Sequence, residues 1–435
     1  MSITVVGLGK IGLPLAVQFA SKNTMVFGAD INEQTVNLVN QGLEPFPEEF
    51  NLKALLSTVV SNGKLAASTD TSKCVAKSEV VVVVVPLFVN DRAEPDFRAM
   101  DAATLDIAKG LQPGTLVCYE TTLPVGTTRN RFTKALEKGS GLKVGSDFHV
   151  AFSPERVLTG RVFEDLRKYP KIVGGITEKC AVVAAQFYKS HLDFDSRPDL
   201  TKENGVWVLD SAESAEFVKL AETTYRDVNI GLANQFAKFA DKLNLNIYDV
   251  IEASNSQTFS HIHQPGVAVG GHCIPIYPQF YLWGDPSATI VTAARHNNSQ
   301  MPNYLVNKML NKIGIIKEKK VLILGASYRA NVKELAFSGV FDLVDLIKKQ
   351  GADVEVFDPL YSGRELNEAG LPGLMSGLGE FEIVVIQTSA TFFLEFLSST
   401  DTFGKLKWIF DGRNLFEGKT PIKGVTLYGI GSPDS

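Results

Sequence analysis

The sequence predicts an α/β protein in which two doubly wound, parallel-sheet domains are joined by a central helical domain with one long helix. Three observations carry that expectation. Short β-branched runs alternate with helical stretches over roughly the first two hundred residues, the alternation restarts after residue 312, and between the two a stripe of helical spacing continues for more than thirty residues. Length agrees, since 435 residues suggest about three packed units. The expected boundaries are 1–200, 201–312 and 313–435.

Composition narrows the class. A chain that is 45% hydrophobic and 21% charged is a soluble globular one, which removes disordered, collagenous and coiled-coil readings. A net charge of -5 supplies no cationic field for nucleic acid or for an acidic membrane. The longest aliphatic run, residues 80–85, is too short to cross a bilayer, and no signal-peptide pattern follows Met1, so a cytoplasmic protein is expected. Cys74, Cys118, Cys180 and Cys273 show no C-x-x-C pairing. Neither a disulfide framework nor a thiolate zinc cage is expected, and a cysteine that matters acts alone as a thiol.

Within the first domain the strands expected are residues 3–6, 25–28, 80–85, 116–119, 149–152 and 171–173, with a helix over 15–20. Six consecutive valines suit a strand covered on both faces, as in parallel sheets. From Asp210 to Leu243 Phe217, Leu220, Ala221, Thr224, Val228, Leu232, Phe236, Phe239, Ala240 and Leu243 recur at helical spacing, one apolar stripe of a helix about 50 Å long. Asp210 and Glu213 form its expected capping pair. Such a rod can join domains and supply a subunit interface, so a homodimer is expected. The third segment repeats the strand-helix-strand order through residues 321–324, 340–347, 354–358, 383–386 and 408–411.

Gly7-Leu8-Gly9-Lys10-Ile11-Gly12 is a G-x-G-x-x-G run that follows a strand and opens a helix, and Asp30 ends the next strand. The glycines allow a tight turn and close backbone approach to a pyrophosphate at a positive helix end, and the Asp30 carboxylate can accept ribose hydroxyls. These are the marks of a Rossmann-like NAD site. A 2′-phosphate would meet Asp30 and the neutral Ile31-Asn32, which favours NAD over NADP. The second unit has Gly325-Ala326-Ser327-Tyr328-Arg329 instead, a turn with larger side chains and a cation that suits a different phosphate ligand. In Gly270-Gly271-His272-Cys273-Ile274-Pro275, two glycines let a substrate approach a thiol, and Pro275 suits the first turn of a helix whose positive end favours thiolate. His261, His263, His272 and Cys273 fit no common zinc spacing, and no metal is expected.

These motifs, together with Glu120-Thr121-Thr122-Leu123-Pro124-Val125-Gly126-Thr127-Thr128, Phe152-Ser153-Pro154-Glu155-Arg156-Val157-Leu158 and Thr224-Tyr225-Arg226-Asp227-Val228-Asn229, resemble the UDP-glucose/GDP-mannose dehydrogenase family in order along nearly the whole chain. Their wording is similar to the branch acting on UDP-N-acetylhexosamines, the GlcNAc and ManNAc 6-dehydrogenases. The resemblance implies an N-terminal NAD domain, a dimer-forming middle and a C-terminal domain for the nucleotide sugar. It also implies a four-electron oxidation of a primary alcohol to a carboxylate that serves surface polysaccharide synthesis, with Cys273 carrying a thiohemiacetal and then a thioester. Lys219 would stabilise oxyanions, Glu155 would act as general base through water, and Thr122 would hydrogen-bond that water. Cofactor contacts are implied for Gly7, Gly9, Lys10, Ile11, Gly12, Asp30, Pro86 and Thr122. Substrate contacts are implied for Glu155, Arg156, Leu158, Lys219, Gly270, Gly271, Tyr328 and Arg329. UDP-glucose, another nucleotide sugar, or binding without catalysis are the alternatives.

Some positions depart from the family pattern. Thr223 stands where asparagine is common, Tyr277 where aspartate is, and Phe259 and Ala336 where arginines are. Arg329 replaces the usual lysine. The changes fall on sugar and diphosphate recognition or around the thiol, while Cys273, Lys219 and Glu155 remain.

Overall fold

The computed structural model describes residues 1–46, 49–90, 92–398, 403–417 and 423–434. The chain divides into two compact units, Met1–Glu222 with Gln279–Gly284, and Thr223–Pro278 with Asp285–Ser435.

In the first unit the strands are β1 (Ser2–Val6), β2 (Met25–Ala29), β3 (Leu65–Ser68), β4 (Val80–Val83), β5 (Phe88–Val89), β6 (Pro95–Asp96), β7 (Leu116–Tyr119), β8 (His149–Phe152), β9 (Lys171–Gly175) and β10 (Val206–Leu209). β5 and β6 make a small antiparallel hairpin. The rest form one sheet in the order β10-β9-β8-β7-β4-β1-β2-β3, parallel from β3 to β8. β9 runs antiparallel to β8, and β10 parallel to β9. Every residue of β4 is buried, as a strand covered on both faces must be. It stops two residues short of the expected end. Val84 instead turns beneath the first glycine turn, where its carbonyl carbon would lie 3.1 Å from a Cβ on Gly7, and the Val85 carbonyl accepts Thr121 Oγ1 at 2.6 Å.

The second unit holds β11 (Lys320–Leu324), β12 (Asp353–Phe357), β13 (Ile383–Ile386), β14 (Trp408–Asp411) and β15 (Thr426–Gly429), all parallel, in the order β12-β11-β13-β14-β15. In each sheet the strand order reverses once, between β1 and β4 and between β11 and β13. The crevice at the carboxyl ends of such a pair is where doubly wound sheets take ligands.

The long helix runs Ala212–Leu243. Its cap is Ser211, whose hydroxyl accepts the Ser214 N–H at 3.1 Å, rather than Asp210. Glu213 is drawn instead to Arg129, 2.5 Å away. The apolar stripe also divides differently from its expected course. Phe217, Leu232, Phe236, Phe239 and Leu243 are 37 to 59% exposed, while the buried face carries Ala212, Ala215, Leu220, Ala233, Ala237 and Ala240 together with the ions Glu216, Lys219 and Asp227. Small side chains allow close helix contact: a Cβ on Gly231 would come within 3.0 Å of Ala294 Cβ.

Glu216 closes the start of the segment 128–140. Its Oε1 accepts the Thr128 N–H at 2.8 Å and the Thr128 hydroxyl at 2.6 Å, and its Oε2 accepts the Gly126 N–H at 2.5 Å. Burial pushes its carboxyl up to about 7, against those bonds. A folded-state value above the unfolded one gives stability that is complete below the unfolded pKa and is lost as pH rises through the folded value. Wild type should therefore lose Tm relative to Glu216→Gln between about pH 5 and 8. Melting curves across that range check this, and a constant difference would refute it.

Candidate active site

The first glycine turn sits at the β1–β4 reversal. Gly7 has φ +93°, and a Cβ on Gly12 would lie 1.9 Å from the Gly7 carbonyl oxygen, so both positions require glycine. Gly9 is different: a Cβ there meets nothing within 4 Å. Space above that backbone, beside a helix Gly12–Ser21 that no side chain caps, is what a pyrophosphate needs. Lys10 and Ile11 flank the same turn, half-buried, and Pro86 lies exposed just beyond β4. Asp30 ties the turn to the end of β2, its Oδ2 accepting the Leu8 N–H at 2.7 Å and its Oδ1 the Asn32 N–H at 2.8 Å. A carboxylate has about four lone-pair sites, so ribose hydroxyls can still be accepted. The residues present fit NAD.

Three residues expected to act on substrate also belong to this unit. Thr122 is buried beyond β7. Lys219 is only 7% exposed, unlike a solvated helix lysine. Glu155 follows β8, and its carboxylate is clasped rather than open: Oε2 accepts Lys171 Nζ at 2.9 Å and Oε1 the Arg156 N–H at 2.7 Å. Burial pushes Glu155 up, but the Lys171 charge and hydrogen bond outweigh it and hold the carboxyl below its ordinary value. Arg156 reaches Glu222 at 3.3 Å and the Pro170 carbonyl at 3.3 Å. Leu158 is 39% exposed, and its N–H donates to Asp165.

The second unit brings the thiol loop onto its own glycine turn. Cβ atoms at Gly270 and Gly271 would come within 2.6 and 2.9 Å of Tyr328, and Gly271 N–H donates to the Ala336 carbonyl at 2.9 Å. Gly271 has φ +90°. Only glycines let the loop lie this close, and the departing segment 334–339 is its seat. Cys273 is half-exposed while Cys74, Cys118 and Cys180 are buried. The Cys273 carbonyl accepts the Tyr277 N–H at 2.9 Å, which begins the turn into helix Tyr277–Gly284. His272 Nε2 stands 3.7 Å from Glu334 Oε2. Phe259 is 88% exposed, and Thr223 is buried. The Asp358 carboxylate accepts the N–H groups of Ala326 at 2.8 Å and Ser327 at 3.1 Å, as Asp30 does for the first turn. Arg329 Nε is buried with no hydrogen-bond partner among the described residues, a cationic donor left over for an anion.

Known proteins account for this arrangement. The family description of the UDP-glucose/GDP-mannose dehydrogenase NAD binding domain matches residues 1–192, that of the central domain residues 213–300, and that of the UDP binding domain residues 322–418. The chain belongs to the UDP-glucose/GDP-mannose dehydrogenase family. It is an NAD-dependent nucleotide-sugar dehydrogenase. The UDP-N-acetyl-D-mannosamine dehydrogenase of Pyrococcus horikoshii is 35% identical over the full length of both chains. An NDP-N-acetyl-D-galactosaminuronic acid dehydrogenase of Ralstonia nicotianae is 33% identical over 82% of this chain and 83% of its own. Among solved structures, the UDP-D-ManNAc dehydrogenase of P. horikoshii superposes over 100% of both chains with a TM-score of 0.87 at 32% identity. The UDP-N-acetyl-mannosamine dehydrogenase of Staphylococcus aureus does so over 99% of this chain and 98% of its own, with 0.82 at 30%.

Several residues of this dehydrogenase were given no role from sequence. Asp227 meets Arg295 at 3.1 Å and Asn298 at 2.8 Å, and Arg295 Nη1 reaches the Ile274 carbonyl next to Cys273 at 3.2 Å. Burial pushes Asp227 up to about 6, opposed by Arg295. Asn234 accepts the Gly266 N–H at 2.9 Å. Their signal was present as polar residues interrupting the long helix, yet their partners lie some thirty to seventy residues away. Among the described residues, no group of three or more His, Cys, Asp or Glu is placed to hold a metal ion, and no helix is long and apolar enough to cross a membrane.

Two glycine substitutions separate fold from cofactor. Gly12→Ala should destabilise the protein by about 1–3 kcal/mol through overpacking. Gly9→Ala should melt within about 0.5 kcal/mol of wild type yet bind NAD at least about tenfold more weakly. Calorimetric melting and NAD titration check both, and unchanged NAD affinity in Gly9→Ala would remove the pyrophosphate from this turn.

Proposed function

We propose that the enzyme oxidises the C6 hydroxyl of a UDP-N-acetylhexosamine to the uronic acid, for surface polysaccharide synthesis, as a cytoplasmic homodimer. The observation that carries the chemistry is Cys273, the half-exposed thiol on a loop whose glycines press against Tyr328, next to an Arg329 donor without a partner. The names of relatives 33 to 35% identical support the N-acetylhexosamine. The exposed row Phe217, Tyr225, Leu232, Phe236, Phe239 and Leu243 supports a subunit interface on the long helix. The functional segments 1–200, 201–312 and 313–435 are supported by the three family spans.

NAD, held by Gly7, Gly9, Lys10, Ile11, Gly12, Asp30, Pro86 and Thr122, supplies a hydride acceptor in each of two oxidations. Arg329, Tyr328 and the Gly270-Gly271 backbone hold the nucleotide sugar, and Arg156 and Leu158 are further substrate contacts. Cys273 sulfur attacks the aldehyde carbon to give a thiohemiacetal, whose oxyanion Lys219 stabilises. After the second oxidation Cys273 carries a thioester. Glu155 takes a proton from water, oriented by Thr122, as the water attacks the acyl carbon, and the thiol is released with the carboxylate.

The test is a panel of nucleotide sugars with NAD. Two NADH per UDP-N-acetylhexosamine are expected, with UDP-glucose turned over at least about tenfold more slowly. One NADH per sugar would refute the four-electron route, and no turnover across the panel would leave a binding protein. Cys273→Ser should stop short of the acid, and full turnover by it would exclude covalent catalysis. A monomer by light scattering would remove the dimer.

A further inference from the structure

Lys171 opens β9 with its side chain 5% exposed, an unusual place for an ammonium. Its Nζ lies 2.8 Å from Glu120 Oε2 and 2.9 Å from Glu155 Oε2, and 4.9 Å from the centre of the Tyr188 ring. The Tyr188 hydroxyl donates to Glu120 Oε1 at 2.5 Å. Four elements of the first unit thus converge on one cation: the ends of β7 and β8, the start of β9 and the helix Glu178–His191.

Two carboxylates around one ammonium would leave an excess negative charge if both ionised, and a buried excess charge is costly. One carboxyl therefore keeps a proton while the other stays ionised. Position decides which. The Glu120 side chain is 0% exposed, and burial pushes it up to about 7 even with Lys171 beside it. Glu155, 11% exposed, has the Arg156 N–H in addition to Lys171, and it is the one held low. The other titratable groups facing the cluster add no compensating charge. Burial pushes the Cys118 thiol and the Tyr188 phenol up, so both stay neutral, and Arg156 is engaged with Glu222.

We propose that Lys171 is a positioning residue for the hydrolytic step, fixing the Glu155 carboxylate in its ionised form, with Glu120 as the carboxyl that keeps the cluster's proton in its place. This rests on the reading of Glu155 as the base in thioester hydrolysis. In that step the water oxygen bonds to the acyl carbon, its proton passes to Glu155, the C–S bond breaks, and the electron pair returns to Cys273 sulfur. A protonated Glu155 could not take that proton. Without Lys171 it would be a desolvated acid, protonated well into the working range of pH.

The experiment follows decay of the acyl-enzyme against pH in single turnovers. Lys171→Met alone would bury two unmatched carboxylates, so it is made in a Glu120→Gln background and compared with Glu120→Gln. The added change should move the acid limb up by at least one pH unit, a tenfold loss of rate below it, and Lys171→Arg should restore the limb. An unmoved limb in the folded double variant would overturn the proposal. A second measurement needs no Lys171 variant: the infrared difference between wild type and Glu155→Gln titrates the Glu155 carboxylate. A midpoint below the ordinary carboxylate value is expected, and one above it would equally overturn the proposal. Glu155→Gln also separates the two readings. If its acyl-enzyme decays at the wild-type rate, the assignment of the base fails; if it stalls while the limb ignores Lys171, only the role of Lys171 fails.

Discussion

Ions on the buried face of the long helix have to be met by partners, because an unmatched charge away from water costs more than the fold can spare. Glu216 is met by the backbone of Gly126 and Thr128, in the segment that leads on from Thr122. Asp227 is met by Arg295, which in turn holds the Ile274 carbonyl beside the thiol. Each unit thus ties a segment near one of its expected site residues to a polar side chain of the helix. The same requirement explains why Phe217, Leu232, Phe236, Phe239 and Leu243 lie outside: the inner face is taken up by Leu220, by small side chains and by these ions.

The two sheets use one device twice. At each strand-order reversal a glycine turn follows the first strand, and an aspartate at the end of the second strand accepts from that turn, Asp30 the Leu8 N–H and Asp358 those of Ala326 and Ser327. This fixes the turn without filling the crevice above it. What differs is what the turn presents. Gly9 leaves open space suited to backbone contact with a pyrophosphate, whereas the second turn offers Tyr328 and an Arg329 whose Nε has no hydrogen-bond partner among the described residues. One architecture therefore carries two turns that differ in a few side chains.

Reactivity is distributed by burial. Three cysteines are buried, and Cys273 lies half-exposed on a loop whose glycines press against Tyr328. The carboxylates follow the same rule with a different outcome. Glu120 and Glu155 share one ammonium, yet burial pushes the Glu120 carboxyl up while Lys171 and the Arg156 N–H hold that of Glu155 below its ordinary value.

Much of this was legible in the residues alone. The valine run at 80–83, the G-x-G-x-x-G turn with Asp30, the glycine-flanked Cys273 and the restart after residue 312 are local patterns, and local patterns survive in one dimension. β3, with Leu65-Ala66-Ala67-Ser68, escaped notice because it lacks β-branched residues and is a strand by virtue of pairing with β2. The side of the long helix that is buried, the Ser211 cap in place of Asp210, and the clasp of Lys171 on Glu120 and Glu155 were equally hidden. They depend on which distant groups share a desolvated volume, and sequence spacing carries no record of that. The type of each chemical group was set by sequence, and its charge state and orientation were decided by tertiary burial.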